Sequence, residues 1–262
     1  MTTKHILFLA HAPSDNTRRL RDAVVDAFAQ PDFAGVDLRV LAPQDATASD
    51  VMPADGLLLL TTENIGYMAG LTKDFFDRNY DDLLEQKPGL PVATLIRAGL
   101  DGTATRRALE GIYGAQGWRP ISALTILHGG WDEGFVGQAQ EAAMALAAGV
   151  EALHDYGERL ARQALAALPE GRYEAEDALD SDGFSSASVP LRVALTVEKG
   201  RATVDFTGSS PMVSGNLNCP AAVTAAAVFY AFRCLMPPQT PASAGAFRPI
   251  ELVLPTPSLL AA

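Results

Sequence analysis

The first 153 residues alternate short apolar runs with segments of helical period, and this alternation constrains the fold more than any other feature of the sequence. The apolar runs predict strands and the periodic segments predict helices. Strands are expected at residues 5–10, 36–41, 56–60, 91–96 and 120–127. A helix is expected through Leu20, Val24 and Phe28, and further helices at residues 71–80, 103–116 and 138–153. Alternating units of this length predict an α/β fold with a doubly wound, five-stranded parallel sheet covered on both faces.

The loop at residues 11–17 joins the first predicted strand to the first predicted helix. It carries Ser14, Asp15, Asn16 and Thr17. The positive end of a helix dipole and its unpaired N–H groups favour a phosphate at such a junction, even without a basic residue in the loop. An ordinary helix cap is the competing interpretation of the same polar residues.

Two further loops, at residues 61–68 and 97–102, follow neighbouring predicted strands, and the carboxyl ends of parallel strands form the usual ligand site. Glycines in these loops permit close backbone approach, Tyr67 offers a stacking face and Asn64 offers hydrogen bonds. The composition predicts a site for a planar heterocycle. Other conspicuous residues are interpreted structurally: Phe75 and Phe76 as core, His128 and Trp131 as loop packing, and His5 and His154 as surface or junction residues.

The pattern changes near residue 154, which predicts a second domain at residues 154–262 after a first at residues 1–153. A charged helix at 158–168 and an acidic, turn-rich segment at 173–183 come first. Two strands at 191–198 and 202–206 follow, joined by Lys199-Gly200 as a hairpin turn. An apolar helix at 220–235, expected to be buried, precedes a proline-rich loop that runs from residue 237 to the end.

Charge and composition exclude several classes of partner. The net charge is −11 and no basic patch is interleaved with aromatic residues, so no nucleic acid is expected. The longest apolar run, at 221–232, is too short to span a membrane. Two cysteines do not make a disulfide framework, which favours a reduced, cytoplasmic setting. The acidic residues at 174–182 do not follow the spacing of a calcium loop, so no metal site is predicted.

Three segments of the first half, HAPSDNTRRL, TTENIGYMAGLTKDFFDR and IRAGLDGT, resemble the flavodoxin-like fold over about residues 4–153, specifically the flavodoxin and NADPH-dependent FMN reductase group. The resemblance implies an FMN-dependent flavoprotein that uses NAD(P)H to reduce quinones or similar small acceptors, and a homodimer. The implied phosphate site comprises Ser14, Asn16 and Thr17. The implied ring site comprises Thr62, Glu63, Asn64, Gly66, Tyr67, Met68, Arg97, Ala98 and Gly99. No side chain is assigned as catalytic, because the flavin carries the hydride chemistry.

The phosphate loop departs from the pattern of that family, which runs Ser-x-Ser-Gly-Asn-Thr. Ala12 stands at the first serine and Asp15 at the glycine. A carboxylate beside a phosphate repels it, and the local dielectric decides by how much. Arg18 and Arg19 compensate if they fold back on the loop. Tyr67 and Arg97 are the residues expected to tune the flavin ring, the latter as a cation beside the reduced ring.

The second half is similar to a different family, the hydantoinase B/oxoprolinase family. The segments ALPEGRYEAEDALDSDG, VDFTGSSPMVSGNLNCPAAVTAAAVFYAFRCL and FRPIELVLPTPSLL carry this resemblance. Subunits of that family are several times longer, so residues 154–262 are expected to form a smaller α+β fragment. The resemblance implies ATP-dependent hydrolysis of cyclic amides, such as hydantoins or 5-oxoproline, with a hydantoinase A-like partner subunit. A fusion in which the second half is only an association module remains the third alternative.

Overall fold

The computed structural model of the protein describes residues 3–238, 240–241 and 243–262. Gln239 and Ala242, which belong to the predicted proline-rich loop, lie outside the described residues. The chain divides into two compact units, Met1–Leu153 and His154–Ala262. We refer to them as unit 1 and unit 2 and describe each by itself.

Unit 1 contains a parallel sheet of five main strands: β1 (Lys4–Ala10), β2 (Val36–Leu41), β3 (Gly56–Asn64), β4 (Pro91–Ala98) and β5 (Thr125–His128). Their spatial order is β2-β1-β3-β4-β5, and every pair is parallel. This 2-1-3-4-5 order is one of the two common doubly wound arrangements, the one found in flavodoxin. The predicted doubly wound, five-stranded parallel sheet is therefore confirmed.

Two strand boundaries differ from the prediction. The predicted loop at 61–68 begins later, because β3 continues to Asn64 and then pairs with a two-residue antiparallel strand, Tyr67–Met68. Thr62 and Glu63 therefore lie in a strand, where β-branched threonines extend the apolar run. The fifth strand is interrupted: Arg119–Pro120 pairs with β4 separately from β5. The Arg119 and Ile121 N–H groups donate to the carbonyls of Leu90 and Val92, so Pro120, whose missing N–H would face away from β4, is tolerated at this sheet edge.

Helices cover both faces of this sheet: α1 (Asp15–Phe28), α2 (Ala48–Val51), α3 (Gly70–Arg78), α4 (Tyr80–Leu83), α5 (Thr103–Gln116) and α6 (Gly134–Ala166). One core cluster joins α1 and α6 to alternate residues of the strands, such as Phe8 and Leu58. The other joins α3 and α5 to the intervening residues and contains Phe75 and Phe76, which confirms their interpretation as core. Both sheet faces are thus buried, as a parallel sheet requires.

Helix α6 corrects two expectations. Residues 138–153 and 158–168, predicted as separate helices, belong to one continuous helix that begins at Gly134. His154, interpreted as a surface or junction residue, is fully buried at the residue where unit 2 begins, so the surface alternative is wrong. Its spacing from Ala161 and Leu165 places all three on one helical face, which explains the burial.

Unit 2 contains a four-stranded sheet built from β6 (Gly171–Leu179), β7 (Val189–Glu198), β8 (Arg201–Asp205) and β9 (Ile250–Val253). The order is β9-β8-β7-β6, with β8 and β9 parallel and the other pairs antiparallel. Lys199 and Gly200 both have positive φ, +49° and +68°. This is the geometry of a two-residue hairpin turn, so the predicted hairpin is confirmed.

Two segments of unit 2 that were expected to be loops contain strands. The acidic segment at 173–183 is mostly β6, an edge strand whose nine residues are all exposed. Its charged residues pair with arginines, Glu174 with Arg172 and Glu176 with Arg192, so they remain solvated within a strand. The proline-rich tail contains β9, which pairs with β8. Pairing with β7 and with β8 therefore overrides the local turn and proline signals.

Helix α7 (Ala221–Arg233), expected to be buried, is buried on one side only. Val228 and Phe232 pack in the core with the sheet, and buried Thr224 donates to the Leu260 carbonyl, whereas Val223 and Tyr230 are exposed. A helix that packs on a single sheet face buries only one stripe of side chains. The apolar composition of α7 on all sides therefore led to a prediction of more burial than the structure shows. Within the described ranges, no helix is both long and apolar enough to cross a membrane.

Candidate functional site

The three predicted loops of unit 1 lie at the carboxyl edge of neighbouring strands. The His11 N–H bonds to the Leu60 carbonyl at 2.9 Å, which joins the start of the first loop to β3. A Cβ added at Gly99 would lie 3.4 Å from the Glu63 carbonyl oxygen. A Cβ added at Gly66 would lie 3.9 Å from Leu100 Cδ1. Hairpin 64–68 and loop 99–102 are therefore adjacent at this edge.

The hydroxyls of loop 11–17 form a helix cap. The Ser14 N–H donates to Thr17 Oγ1 at 2.9 Å, and the Thr17 N–H donates to Ser14 Oγ at 3.3 Å. Thr17 Oγ1 in turn donates to the Ser14 carbonyl at 2.9 Å. Among the described residues, no acceptor bonds to the N–H groups of Asp15 and Asn16 in the first turn of α1. The donors left for an anion are therefore backbone N–H groups.

The two arginines after this loop have different partners. Arg18 folds back: its Nη2 lies 2.5 Å from Asp15 Oδ1, and its Nη1 donates to the Pro13 carbonyl. Arg19 turns away, with its Nη2 2.6 Å from Glu133 Oε2 and its guanidinium 4.4 Å from the centre of the Trp131 ring. Hydrogen bonds from Trp131 and Arg19 lower the pKa of Glu133. Only Arg18 offsets the charge of Asp15 in this geometry.

Glu63 lies beneath loop 99–102 and not on its surface. Its side chain is buried, and the residue is 4% exposed. Oε2 accepts the Leu100 N–H at 2.8 Å and the Gly102 N–H at 3.1 Å. The other oxygen, Oε1, is buried with no donor among the described residues. Sequence reasoning included Glu63 in the ring site but not these bonds, because no local pattern reports a contact across 37 residues.

Two carboxylates occupy the N-terminus of α5. Gly102, its N-cap, has a φ of +73° and donates to Glu63. Asp101 Oδ1 accepts the Thr103 N–H at 2.9 Å, and this bond, with a smaller contribution from His128, lowers the pKa of Asp101. Carboxylates of the protein itself thus neutralise this helix end, which disfavours an external anion there.

Three exposed apolar side chains lie on hairpin 64–68 and loop 99–102. Tyr67 is 42% exposed, Leu100 is 60% exposed and Ile65 is fully exposed. Because the two loops are adjacent, these side chains form a candidate surface for an apolar ligand. Of the other predicted ring residues, Asn64 and Gly99 are exposed and Gly66 is partly exposed. Thr62, Glu63, Met68 and Ala98 are buried, and Arg97 is half-buried.

Arg97 is held by backbone carbonyls. Nη1 donates to the carbonyls of Ala98 and Leu127, both at 2.9 Å, and Nη2 donates to that of Gly129 at 2.5 Å. Its guanidinium also lies 5.4 Å from the centre of the Phe135 ring. These bonds fasten β4 to the segment after β5. They give Arg97 a positioning role and no support for its expected role beside a flavin ring.

Unit 2 has an apolar groove of about 540 Å³. It is lined by one face of β6, β7 and β8 and by α7, with Tyr173, Val193, Phe206 and Leu235 among its residues. Within the described part of the chain, no group of three or more His, Cys, Asp or Glu residues could hold a metal ion. Unit 2 therefore offers apolar surface and no assembled catalytic metal site in this part.

Comparison with known sequences concerns mainly unit 2. Residues 139–262 match the family model of hydantoinase B/oxoprolinase. The chain is 41% identical over 87 residues to 5-oxoprolinase 1 of Arabidopsis thaliana, covering 33% of this chain and 7% of that protein. It is 34% identical over 116 residues to a Pseudomonas protein provisionally named as one of the subunits of a D-/L-hydantoinase, covering 40% of this chain and 20% of that protein. The chain thus spans a fifth or less of these relatives.

Comparison with solved structures concerns the other part of the chain. A flavodoxin, WrbA-like protein from Agrobacterium tumefaciens aligns with a TM-score of 0.46 and 14% identity, over 58% of this chain and 99% of that one. A flavodoxin from the domain Archaea aligns with a TM-score of 0.46 and 16% identity, over 57% of this chain and 99% of that one. Scores this low carry no functional argument, and the fold assignment depends on the strand order of unit 1.

Proposed function

We propose that unit 1 binds FMN at the carboxyl edge of its sheet and acts as an NAD(P)H-dependent oxidoreductase of quinones or similar small acceptors. The observation that carries the proposal is the exposed apolar surface of Ile65, Tyr67 and Leu100. It lies on loops that follow β3 and β4, at the edge where the N-terminus of α1 offers free N–H groups. In sheets of this order the ligand occupies the carboxyl edge at the switch point.

The phosphate of FMN would lie at the N-terminus of α1. The N–H groups of Asp15 and Asn16 and the helix dipole favour it there. The hydroxyls of Ser14 and Thr17 bond within the cap, so they add little until the cap rearranges. The Asp15 carboxylate opposes the phosphate, and Arg18 partly offsets it. We therefore expect weak, reversible binding.

The flavin ring would pack on Tyr67 and Leu100. Aromatic and aliphatic side chains stabilise a planar ring by stacking and by excluding water. Asn64 can donate to the polar edge of the ring, although its Nδ2 also lies 3.2 Å from Thr62 Oγ1. When bound, the flavin supplies the hydride chemistry, and the residues of this chain bind and orient it.

The proposal is tested by NAD(P)H oxidation with a quinone acceptor, with and without added FMN. Tyr67→Ala should weaken FMN binding about tenfold, because it removes most of one stacking contact. Tyr80→Ala is the matched control, since Tyr80 is exposed to a similar degree, 46%, but lies on α4. Equal FMN affinity in the two variants, or FMN-independent turnover, would contradict the proposal.

A second candidate function is supported by the family match of residues 139–262. Unit 2 would be part of an ATP-dependent hydantoinase or 5-oxoprolinase that hydrolyses cyclic amides together with a hydantoinase A-like subunit. Its described residues include no metal-ligand group, so the partner would complete the site. The test is ATP-dependent ring opening of 5-oxoproline or a hydantoin by the purified chain, alone and with such a subunit. If ring-opened product were absent both with and without the subunit, this candidate function would be excluded.

The third alternative is that unit 2 serves only association. The apolar groove and the exposed edge strand β6 support it. Light scattering of the purified chain tests this alternative and the homodimer expected for unit 1. A monomer at all concentrations, with no binding to a hydantoinase A-like subunit, would contradict it.

A further inference from the structure

We propose that Glu63 is the positioning residue of the ring site in unit 1, because its buried carboxylate fixes loop 99–102 beside hairpin 64–68. This inference depends on the proposed flavin function and deepens it. It assigns the shape of the ring site to a residue that a ligand at the surface would not touch.

The first step is the bonding of the loop. A single oxygen of Glu63 receives two N–H groups of one turn, those of Leu100 and Gly102. The side chain comes from the end of β3, a central strand of the sheet. Hydrogen bonds to a charged acceptor are roughly twice as strong as neutral ones. The turn is therefore fastened to the rigid part of unit 1.

The second step connects this bond to the ligand surface. Leu100 supplies one of the two N–H groups and also one of the exposed apolar side chains. Its Cδ1 lies 3.9 Å from the position of a Cβ at Gly66, in the turn of the hairpin. Without the carboxylate, both N–H groups would have to find water, since buried backbone donors are almost always paired. Leu100 would then move away from the hairpin.

The third step separates positioning from folding. The N-terminus of α5 keeps a second cap without Glu63, since the Thr103 N–H bonds to Asp101. The helix is also anchored by buried Leu109 and Tyr113. Loss of the Glu63 carboxylate should therefore loosen loop 99–102 and leave α5 in place.

The fourth step concerns charge. None of the ion pairs described for this chain includes Glu63, and its charge is balanced by N–H groups and by the positive end of α5. The function of the carboxylate is thus to accept hydrogen bonds. Glutamine keeps one acceptor oxygen at nearly the same place, so Glu63→Gln should restore what Glu63→Ala removes.

The experiment compares Glu63→Ala, Glu63→Gln and Glu110→Ala. Glu110 is the matched control, because it is an exposed glutamate on α5 itself. Two quantities are measured: amide hydrogen exchange at Leu100 and Gly102 in FMN-free protein, and FMN affinity by flavin fluorescence. Circular dichroism establishes that each variant is folded.

We expect Glu63→Ala to accelerate exchange at both amides and to weaken FMN binding, each about tenfold. Glu63→Gln should recover most of both, and Glu110→Ala should change neither. Unchanged exchange and FMN affinity in Glu63→Ala would overturn the inference. Wild-type protein that binds no FMN would instead refute the proposed function and with it the role of Glu63 at a flavin. If Glu63→Ala does not fold, the test depends on Glu63→Gln. A Glu63→Gln variant that does not bind FMN would then also overturn the inference about Glu63.

Discussion

The proposed phosphate site depends more on the charge of Asp15 than on that of any other single residue. Its carboxylate is exposed, stands in the first turn of α1 and pairs with Arg18. Asp15→Gly should strengthen FMN binding about threefold to tenfold, because a partly screened repulsion is removed. The measurement is a pair of titrations, with FMN and with riboflavin, which lacks the phosphate. An equal change for both ligands would contradict a phosphate at this position.

The sequence predicted which residues lie at the carboxyl edge of the unit 1 sheet, but not which hydrogen bonds their polar atoms form. Ser14 and Thr17 were expected at a phosphate site, with a helix cap as the competing interpretation, and in the structure their hydroxyls bond to each other's backbone as a cap. Residue type and spacing fix the position of a loop at a strand end. Hydroxyl and carboxylate bonds depend on rotamers and on neighbours distant in sequence, as for Glu63 and Leu100.

His11, at the end of β1, gives unit 1 a pH dependence. Burial lowers the pKa of His11 from its ordinary value of 6.5. The folded state therefore favours the neutral imidazole, so its full stability is present above pH 6.5 and is lost as the pH falls from there toward the lower folded-state pKa.

His11→Gln should thus lose less stability than the wild type between neutral and mildly acidic pH. Thermal unfolding at a series of pH values measures the difference. His128→Gln, at an exposed position after β5, is the control. Identical pH profiles for wild type and His11→Gln would contradict this assignment.

At the scale of elements, prediction succeeded where local signals suffice. Helix α5 begins and ends where its period and Gly117 predict, because Gly117 adopts a left-handed cap with φ +67°. Strands β6 and β9 were missed. Strand β9 pairs with β8 across a long segment that contains α7, whereas β6 pairs with the next strand, β7. The local sequence of β6 is acidic, and that of β9, Ile-Glu-Leu-Val, favours a strand but is flanked by prolines.

The turn between β7 and β8 can be tested by comparing Gly200, which lies in it, with Gly111, which lies in α5. Gly200 has a φ of +68°, and a Cβ there would lie 2.9 Å from the Arg162 carbonyl oxygen. Gly200→Ala should therefore destabilise unit 2 by about 1–3 kcal/mol. Gly111→Ala, at an open position inside α5, should stabilise unit 1 by about 0.5–1 kcal/mol.

Urea unfolding of the two variants, followed by circular dichroism, measures both changes. The same substitution, glycine to alanine, is made at both sites. Changes of opposite sign in the free energy of unfolding would therefore reflect the backbone conformation and the space around each glycine. Destabilisation of equal size at both glycines would contradict the assigned turn.

At the scale of the whole molecule, the two compact units meet in sequence inside a continuous helix, α6. A protease needs an extended, exposed segment, and residues 153 and 154 do not provide one. Residues 180–188 between β6 and β7 do, with Phe184 79% exposed. Chymotrypsin should therefore cleave first after Phe184, as mass spectrometry of brief digests would show. First cleavage between residues 150 and 158 would contradict the continuity of α6.

A change of pattern along the sequence predicted a division of the chain near residue 154. The repeating strand and helix units end before a segment of charged helix, hairpin and loops. The continuity of α6 was not visible, because the charged stretch at residues 158–168 was interpreted as a separate helix. A glycine in a helix is tolerated where another segment packs closely, and a Cβ at Gly157 would lie 3.1 Å from the Ala246 nitrogen.

The most direct test of the central proposal is a titration of the purified protein with FMN, followed by visible absorption. We predict a saturable shift of the flavin bands with one FMN per chain, reversed by dilution because binding is weak. A spectrum that remains the sum of free FMN and protein throughout the titration would contradict a flavin site at the carboxyl edge of unit 1.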